Sequence, residues 1–375
     1  MDKSQLVYLR GLNGIRAIAA TAVLLSHINM SLKTFNISNV SLFGFRNGAQ
    51  QAWNLGEQGV TIFFVLSGFL ITYLLLLENN KKGTINRKHF YIRRILRIWP
   101  LYYLYLFLAV IIIYLFSSTL ENAEMVPFYI FLLANIPFII EMGLPACHHL
   151  WSIAVEEQFY LFWPFFFKKK IKLHKVLAII IISCVIIRIM LWIFFPFKLF
   201  TVLFTVNRFD CMMLGALVAI YFYENRKIIK FFTSFPCQLF AWIVIAIHFF
   251  NFNIINSIIS MEFVTLATAI IICGQISSKH KIINLENRLF NFLGKYSYGI
   301  YVYHPLFIYI LSKSNFFNQI ENEIARAVTV FLTVILITLG IAFLSYELIE
   351  KKFIKLKDRF SAIHSTNNLK KATTT

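Results

Sequence analysis

Charge is what this sequence has least of. Only 14% of its 375 residues are Asp, Glu, Lys or Arg, and the acidic ones are scarcer still, 17 against 36 basic. An ordinary soluble domain carries roughly 25% charged residues, so a water-facing globular surface is excluded. Cysteine is also sparse. Cys147, Cys184, Cys211, Cys237 and Cys273 stand far apart, with no CxxC pair and no His/Cys cluster at ligand spacing. A disulfide framework and a structural zinc are therefore unsupported, and small apolar filler is the role left to these residues. Internal repeats and low-complexity runs are missing apart from the polar tail "STNNLKKATTT", so the chain reads as one unit over 1–360 with a disordered, cytoplasmic 361–375. Nor is there a short h-region followed by a small-residue cleavage site, so the first apolar segment is expected to stay as an uncleaved anchor.

What is there in abundance is apolar: 59% of residues, for a mean hydropathy of +0.70. This composition predicts an all-α polytopic integral membrane protein, because a lipid-exposed backbone must satisfy its own hydrogen bonds. Stretches near the ~20 residues needed to cross a bilayer lie at 11–31, 58–77, 98–117, 150–167, 175–195, 207–223, 238–254, 257–274, 293–312 and 325–346. An eleventh, 126–141, is short and broken by Pro127 and Pro137, and reads as re-entrant or interfacial. Charge tests the count, since short cytoplasmic loops collect Lys and Arg. Ten spans with both termini cytoplasmic put Lys3 and Arg10, the run 81–97, Lys168 to Lys175, Arg226 to Lys230, Lys279 to Arg288 and the tail from Lys351 inside. Lys33, Arg46, Lys198 and Lys313 are then the basic loop residues outside. The net charge of +19 is mostly this asymmetry, with anionic lipid head groups as its neighbours and no nucleic acid implied.

Ionisable residues inside spans are costly and usually face the bundle interior or mark a functional pathway. In "RAIAATAVLLSH", Arg16 and His27 are eleven positions apart, which on a helix is within about 20° of the same face and about 16 Å along the axis. Arg16 belongs near the cytoplasmic face and His27 in the outer half. Snorkelling of Arg16 and an interhelical hydrogen bond from His27 would account for the pair equally well. In "HHLWSIAVEEQFYLFWP", His149, Ser152, Glu156 and Tyr160 recur at steps of three and four and form one polar stripe, with Glu157 beside it. In "HFYIRRILRIWP", Arg93, Arg94 and Arg97 suit phosphate oxygens, but basic residues at this helix entry are also what topology demands, and from the loop alone that is the favoured reading. In "LGKYSYGIYVYHP", Ser297, Tyr301 and His304 share a face and Pro305 is expected to interrupt the helix, exposing carbonyls that need partners. Arg208 and Asp210 form either a local ion pair or an acceptor contact; Arg188, His248 and Glu262 have no assigned role.

Taken in order, these segments resemble the acyltransferase family 3 membrane proteins that O-acylate cell-surface polysaccharides. The resemblance rests on "LRGLNGIRAIAATAVLLSH", "GVTIFFVLSGFLI", "YIRRILRIWPLYY", "HLWSIAVEEQFYLFWP", "RFDCMMLGAL", "LGKYSYGIYVYHP" and "SYELIEKKF". Asn13 and Thr61 stand where the family often has acidic residues, and Lys352 follows Glu350 where it commonly has proline.

The resemblance implies an acyltransferase that moves an acyl group, most often acetyl, from cytoplasmic acyl-CoA to a hydroxyl of an extracytoplasmic polysaccharide or glycolipid, with no permanently bound cofactor and no metal. Multi-pass placement in a bacterial cytoplasmic membrane goes with it. On this reading Arg93, Arg94 and Arg97 dock CoA phosphates, His27 acts as general base or as a transient nucleophile, and Glu156 orients it. Arg16, the third catalytic candidate, lies on the acyl path and is, with Tyr301 and Ser152, an alternative oxyanion contact. His149, Ser152, Tyr160, Arg208, Asp210, Ser297, Tyr301 and His304 remain as acceptor or oxyanion contacts. The competing class is a proton-coupled transporter or glycan flippase, in which the same carboxylates and histidines relay protons.

Overall fold

The computed structural model describes residues 6–42, 44–46, 49–50, 53–167, 172–195, 199–250, 260–277 and 281–365. Lys3, Lys168–Lys170, Lys198, Lys279 and the tail 366–375, to which the topology reading assigned sides or disorder, lie outside them.

The chain is helical: α1 Leu12–Met30, α2 Trp53–Lys82, α3 Arg87–Ser117, α4 Val126–Ile130, α5 Asn135–Ile139, α6 Leu150–Phe162, α7 Leu173–Phe194, α8 Leu199–Val206, α9 Phe209–Tyr223, α10 Lys227–Phe232, α11 Phe235–Phe249, α12 Ser260–Ser277, α13 Arg288–Ser312, α14 Glu323–Ser345 and α15 Lys351–Asp358. The α14–α15 junction is a π-turn, Tyr346–Glu350. Among the described residues, strand structure is confined to two-residue pieces: β1 Leu6–Val7, β2 Phe45–Arg46, β3 Ala49–Gln50 and β4 His364–Ser365. β2 and β3 pair antiparallel, while β1 pairs in parallel with β4, so the two ends of the described chain lie side by side. His364 and Ser365, read from sequence as the head of a disordered tail, are held in this pair.

Six helical stretches among the described residues are long and apolar enough to cross a membrane: Leu55–Lys82, Arg87–Ser117, Leu173–Phe194, Leu199–Tyr223, Ser260–Ser277 and Glu323–Asp358. The protein is therefore an all-α, multi-pass membrane protein. α1 and α13 have comparable length, and it is their polar residues, Arg16, His27, Ser297 and His304 among them, that dilute their hydropathy. They occupy the centre of the bundle, where such residues are shielded from lipid: Ala19, Ile28, Val302 and His304 are fully buried. α7 is peripheral, with Leu177 and Arg188 as its buried residues.

Several boundaries differ from the hydropathy reading. α3 begins at Arg87 rather than near 98, so the three arginines sit on a continuous helix, started by Asn86, whose side chain accepts from the His89 N–H at 3.0 Å. The expected span 150–167 is a helix of only 13 residues, about 20 Å long, finished by a 3₁₀ turn at Trp163–Phe166. The expected span 207–223 extends back through α8. Pro305 does not interrupt its helix: α13 continues to Ser312. Hydropathy reports where lipid is, whereas helices run on past the lipid wherever caps and packing support them. Segment 126–141 forms two single-turn helices, α4 and α5, separated by Leu132 at φ 59°, and makes no continuous crossing.

Close helix approach is set by glycine. A Cβ on Gly68 of α2 would lie 1.9 Å from the Met212 carbonyl oxygen of α9, and one on Gly215 of α9 would lie 2.1 Å from the Val65 carbonyl oxygen of α2. The two backbones are thus in direct contact, as small residues allow in membranes.

Candidate active site

α1 brings its two polar ends to different clusters. At the C-terminal end, His27 Nδ1 lies 2.7 Å from His304 Nε2 on α13, with ring centroids 4.9 Å apart. His304 Nδ1 is in turn 3.0 Å from the carbonyl oxygen of Ile300, one turn earlier in its own helix. A third imidazole, His149 at the start of α6, stands 5.5 Å from His304 between ring centroids and bonds the Val302 carbonyl through Nε2 at 3.1 Å. Pro305 lacks the N–H that would close this turn of α13, and the carbonyls of the same turn accept from imidazoles on either side. The carbonyl that Pro305 leaves without its helix donor is that of Tyr301, a different one from the two that these imidazoles reach.

Tyr301 donates to the His149 carbonyl at 2.8 Å and its oxygen is 2.6 Å from Ser152 Oγ, so both hydroxyls are engaged. His149, Ser152, Tyr301 and His304 are thus gathered around His27. Ser297 is not: its hydroxyl bonds back to the Gly294 carbonyl at 2.9 Å. His148, in the loop before α6, is held below its ordinary pKa by burial.

Glu156 departs from its expected role. Its Oε1 accepts from Ser67 Oγ of α2 at 2.7 Å and its Oε2 from Tyr160 at 3.4 Å, whereas the partner of His27 is His304. Glu157, adjacent in sequence, points to α3 and accepts from Trp99 Nε1 at 3.0 Å. The two carboxylates tie α6 to two different helices.

At the other end of α1, Arg16 donates to Asn13 Oδ1 at 3.3 Å and lies within Coulombic range of Arg94, Arg97 and Glu156. Arg97 is exposed; Arg94 sits over the Tyr160 ring at 5.9 Å, with its Nε buried and unpaired. Arg93 is separated from this group by its bonds, to Glu78 at 2.7 Å and to the Phe360 carbonyl at 2.9 Å. Lys357 of α15 also lies within Coulombic range of Arg94 and Arg97. An anion with several oxygens would find unpaired guanidinium donors here, as phosphates require.

A separate buried network holds the residues that sequence could not place. Arg188 of α7 binds Asp210 at 2.8 Å and Glu262 of α12; Arg208 reaches Glu262 at 3.4 Å and Thr61 Oγ1 at 3.2 Å. Arg208 and Asp210 therefore pair through third parties rather than with each other. Glu57 of α2, in Coulombic range of Arg208 and Arg188, went unnoticed in the sequence, as did Ser67 and Trp99, because each is read only through a partner far along the chain. His248 bonds the Val244 carbonyl of its own helix at 2.8 Å. Among the described residues no group of three or more His, Cys, Asp or Glu is arranged to hold a metal ion.

The profile of the acyltransferase domain (Acyl_transf_3) matches residues 9–347, covering both clusters and the helices between them. The chain belongs to acyltransferase family 3. Over 189 residues it is 35% identical to the peptidoglycan O-acetyltransferase OatA of Listeria monocytogenes, covering 47% of this chain and 27% of that one. Over 385 residues it is 27% identical to a Staphylococcus aureus protein named "Putative O-acetyltransferase", covering 93% of this chain and 58% of its relative. The chain thus spans between about a quarter and three-fifths of the length of these relatives. No solved structure matches it.

Proposed function

We propose that this acyltransferase moves an acyl group, acetyl foremost, from cytoplasmic acyl-CoA to a hydroxyl of an extracytoplasmic polysaccharide such as a cell-wall glycan. Ten crossings of a bacterial cytoplasmic membrane, with both ends of the chain inside, go with this reading. One observation carries it: a single central helix joins a group of under-partnered guanidiniums, Arg16 with Arg94 and Arg97, to an imidazole cluster eleven residues further along. The names of the relatives support acetyl as the group and peptidoglycan as one acceptor class.

The chemistry follows the two clusters. Arg94 and Arg97 hold CoA phosphates at the cytoplasmic mouth, with Arg16 at the entrance to the path along α1. Arg93 supports the loop end through Glu78 instead of binding CoA. At the far end neutral His27 takes the proton of the acceptor hydroxyl as its oxygen attacks the thioester carbonyl. The tetrahedral oxyanion then collapses, the C–S bond breaks, and the thiolate leaves with the proton that His27 carried. Arg16 is about 16 Å from His27 along α1 and does not serve the oxyanion; the Tyr301 hydroxyl, beside His304, serves it only by releasing the His149 carbonyl. Burial of the cluster keeps water from competing with the glycan.

The test is release of CoA from acetyl-CoA by membranes containing the protein, with and without a glycan acceptor. Acceptor-dependent release is expected, and His27→Ala is expected to lower it by about 10²-fold or more while the protein still inserts. A transporter predicts no acceptor-dependent release. Retained turnover in His27→Ala would remove His27 from the mechanism.

A further inference from the structure

We infer that His304 is a positioning residue that fixes His27 in the tautomer with its proton on Nδ1 and its lone pair on Nε2, making Nε2 the base. This rests on the proposed acyl transfer for its chemical purpose, but not for its geometry.

The assignment follows from the Ile300 carbonyl. A carbonyl oxygen only accepts, so His304 Nδ1, 3.0 Å away, carries a hydrogen. In a neutral ring the other nitrogen, Nε2, is then an acceptor. His27 Nδ1, 2.7 Å from it, must be the donor. That leaves His27 Nε2 as an unprotonated nitrogen, and no described residue hydrogen-bonds to it. The alternative, a doubly protonated His304, would be a buried cation, and among the described residues no carboxylate touches either ring; such a charge is expensive. The titratable groups that face the pair are themselves neutral donors or acceptors: the His149 ring with Nε2–H committed to Val302, the Tyr301 hydroxyl committed to the His149 carbonyl, and His148 nearby.

This places a second imidazole where a carboxylate stands in the familiar triads, whose role is to hold the base histidine in one tautomer and stabilise its cation. As the acceptor O–H proton passes to His27 Nε2, the new positive charge spreads through Nδ1–H to His304 Nε2. When the C–S bond breaks, the proton on Nε2 goes to the CoA thiolate and both rings return to neutral. The anchor is also rigid: both nitrogens of His304 are used, one on its own helix and one on His27, across α13 and α1.

Two variants separate positioning from structure. In His304→Gln the amide oxygen can take the place of Nε2 as acceptor for His27, whereas His304→Leu removes the acceptor. His304→Leu is expected to lower kcat by about 10²-fold with KM for acetyl-CoA changed less than about threefold, and His304→Gln to recover most of that loss. The acidic limb of the pH profile for kcat should move to lower pH in His304→Leu, because the cation on His27 loses its partner. Equal kcat in the Gln and Leu variants, or wild-type kcat in the Leu variant, would overturn the assignment. A readout independent of turnover is ¹⁵N NMR of histidine-labelled protein in bilayers, with the His27 signals identified by their loss in His27→Asn. Protonated Nδ1 and bare Nε2 are expected in the wild type; an Nε2–H tautomer there would sink the inference. A wild type that shows the expected tautomer but no acceptor-dependent CoA release would instead count against acyl transfer and leave the pairing standing.

Discussion

At the scale of single residues, what matters is which polar groups are already satisfied. Arg93 is: its guanidinium has a carboxylate and a carbonyl, and Glu78 is nearly fully buried against it. Arg94 and Arg97 are not. The double variant Arg94→Ala with Arg97→Ala is therefore expected to raise KM for acetyl-CoA by at least tenfold, since a hydrogen bond to a charged group contributes about 1.5–3 kcal/mol, with the acceptor KM changed less. Arg93→Ala should act elsewhere, leaving Glu78 as a buried unpaired charge, a defect worth about 3–5 kcal/mol. Steady-state kinetics and the yield of folded protein extracted in mild detergent separate the two. An acyl-CoA effect from Arg93→Ala alone, at normal yield, would restore that residue to the donor site. Sequence could name all three arginines because basic residues cluster at a helix entry. It could not divide them, because Glu78 and Phe360 belong to other elements. For the same reason Glu156 looked free to orient His27, when Ser67 and Tyr160 already held it.

At the scale of elements, the family motifs turn out to be each other's packing partners. Gly68 of "GVTIFFVLSGFLI" and Gly215 of "RFDCMMLGAL" bring α2 and α9 into backbone contact. The start of α1 is pinned in a comparable way. Gly11 adopts φ +72°, a left-handed conformation that suits glycine, and its N–H donates to Glu286 Oε2 at 2.7 Å. Tyr8 also donates to Glu286, and Asn291 does so at 3.0 Å. Burial by itself would push this carboxyl up, but these donors, with Lys281 nearby, hold it below its ordinary range. Its contribution to stability is thus present above the unfolded value of about 4.3 and is lost as pH falls through the lower folded value. Thermal unfolding in detergent should show wild type above Glu286→Gln near neutral pH, the gap closing as pH falls below about 4. A gap that persists or widens in acid would contradict the assignment. Helix identity was readable from apolar composition; helix ends were not, since they depend on caps such as Asn86 and on contacts such as this one.

At the scale of the whole molecule, β1 and β4 pair, so the two ends of the described chain lie side by side, and the proposed topology of ten crossings is open to test from either face of the membrane. Single cysteines introduced at Asn80 and Asn225 should resist a membrane-impermeant thiol reagent in intact cells. One at Asn315 should react, all in a background with the native cysteines replaced. Labelling at Asn80 and Asn225 but not Asn315 would invert the topology. Charge asymmetry is what proposes the count of ten, and one helix within it is unlike the others. α6 supplies 13 residues, about 20 Å of helix against a hydrocarbon core of about 30 Å. Where His149, Ser152 and Glu156 line up, α6 is therefore held less by its own length than by side chains bonded to α13, chiefly Tyr301 to Ser152 and to the His149 carbonyl. The same few hydroxyls that border the imidazole cluster thus also anchor the short helix that helps to carry it.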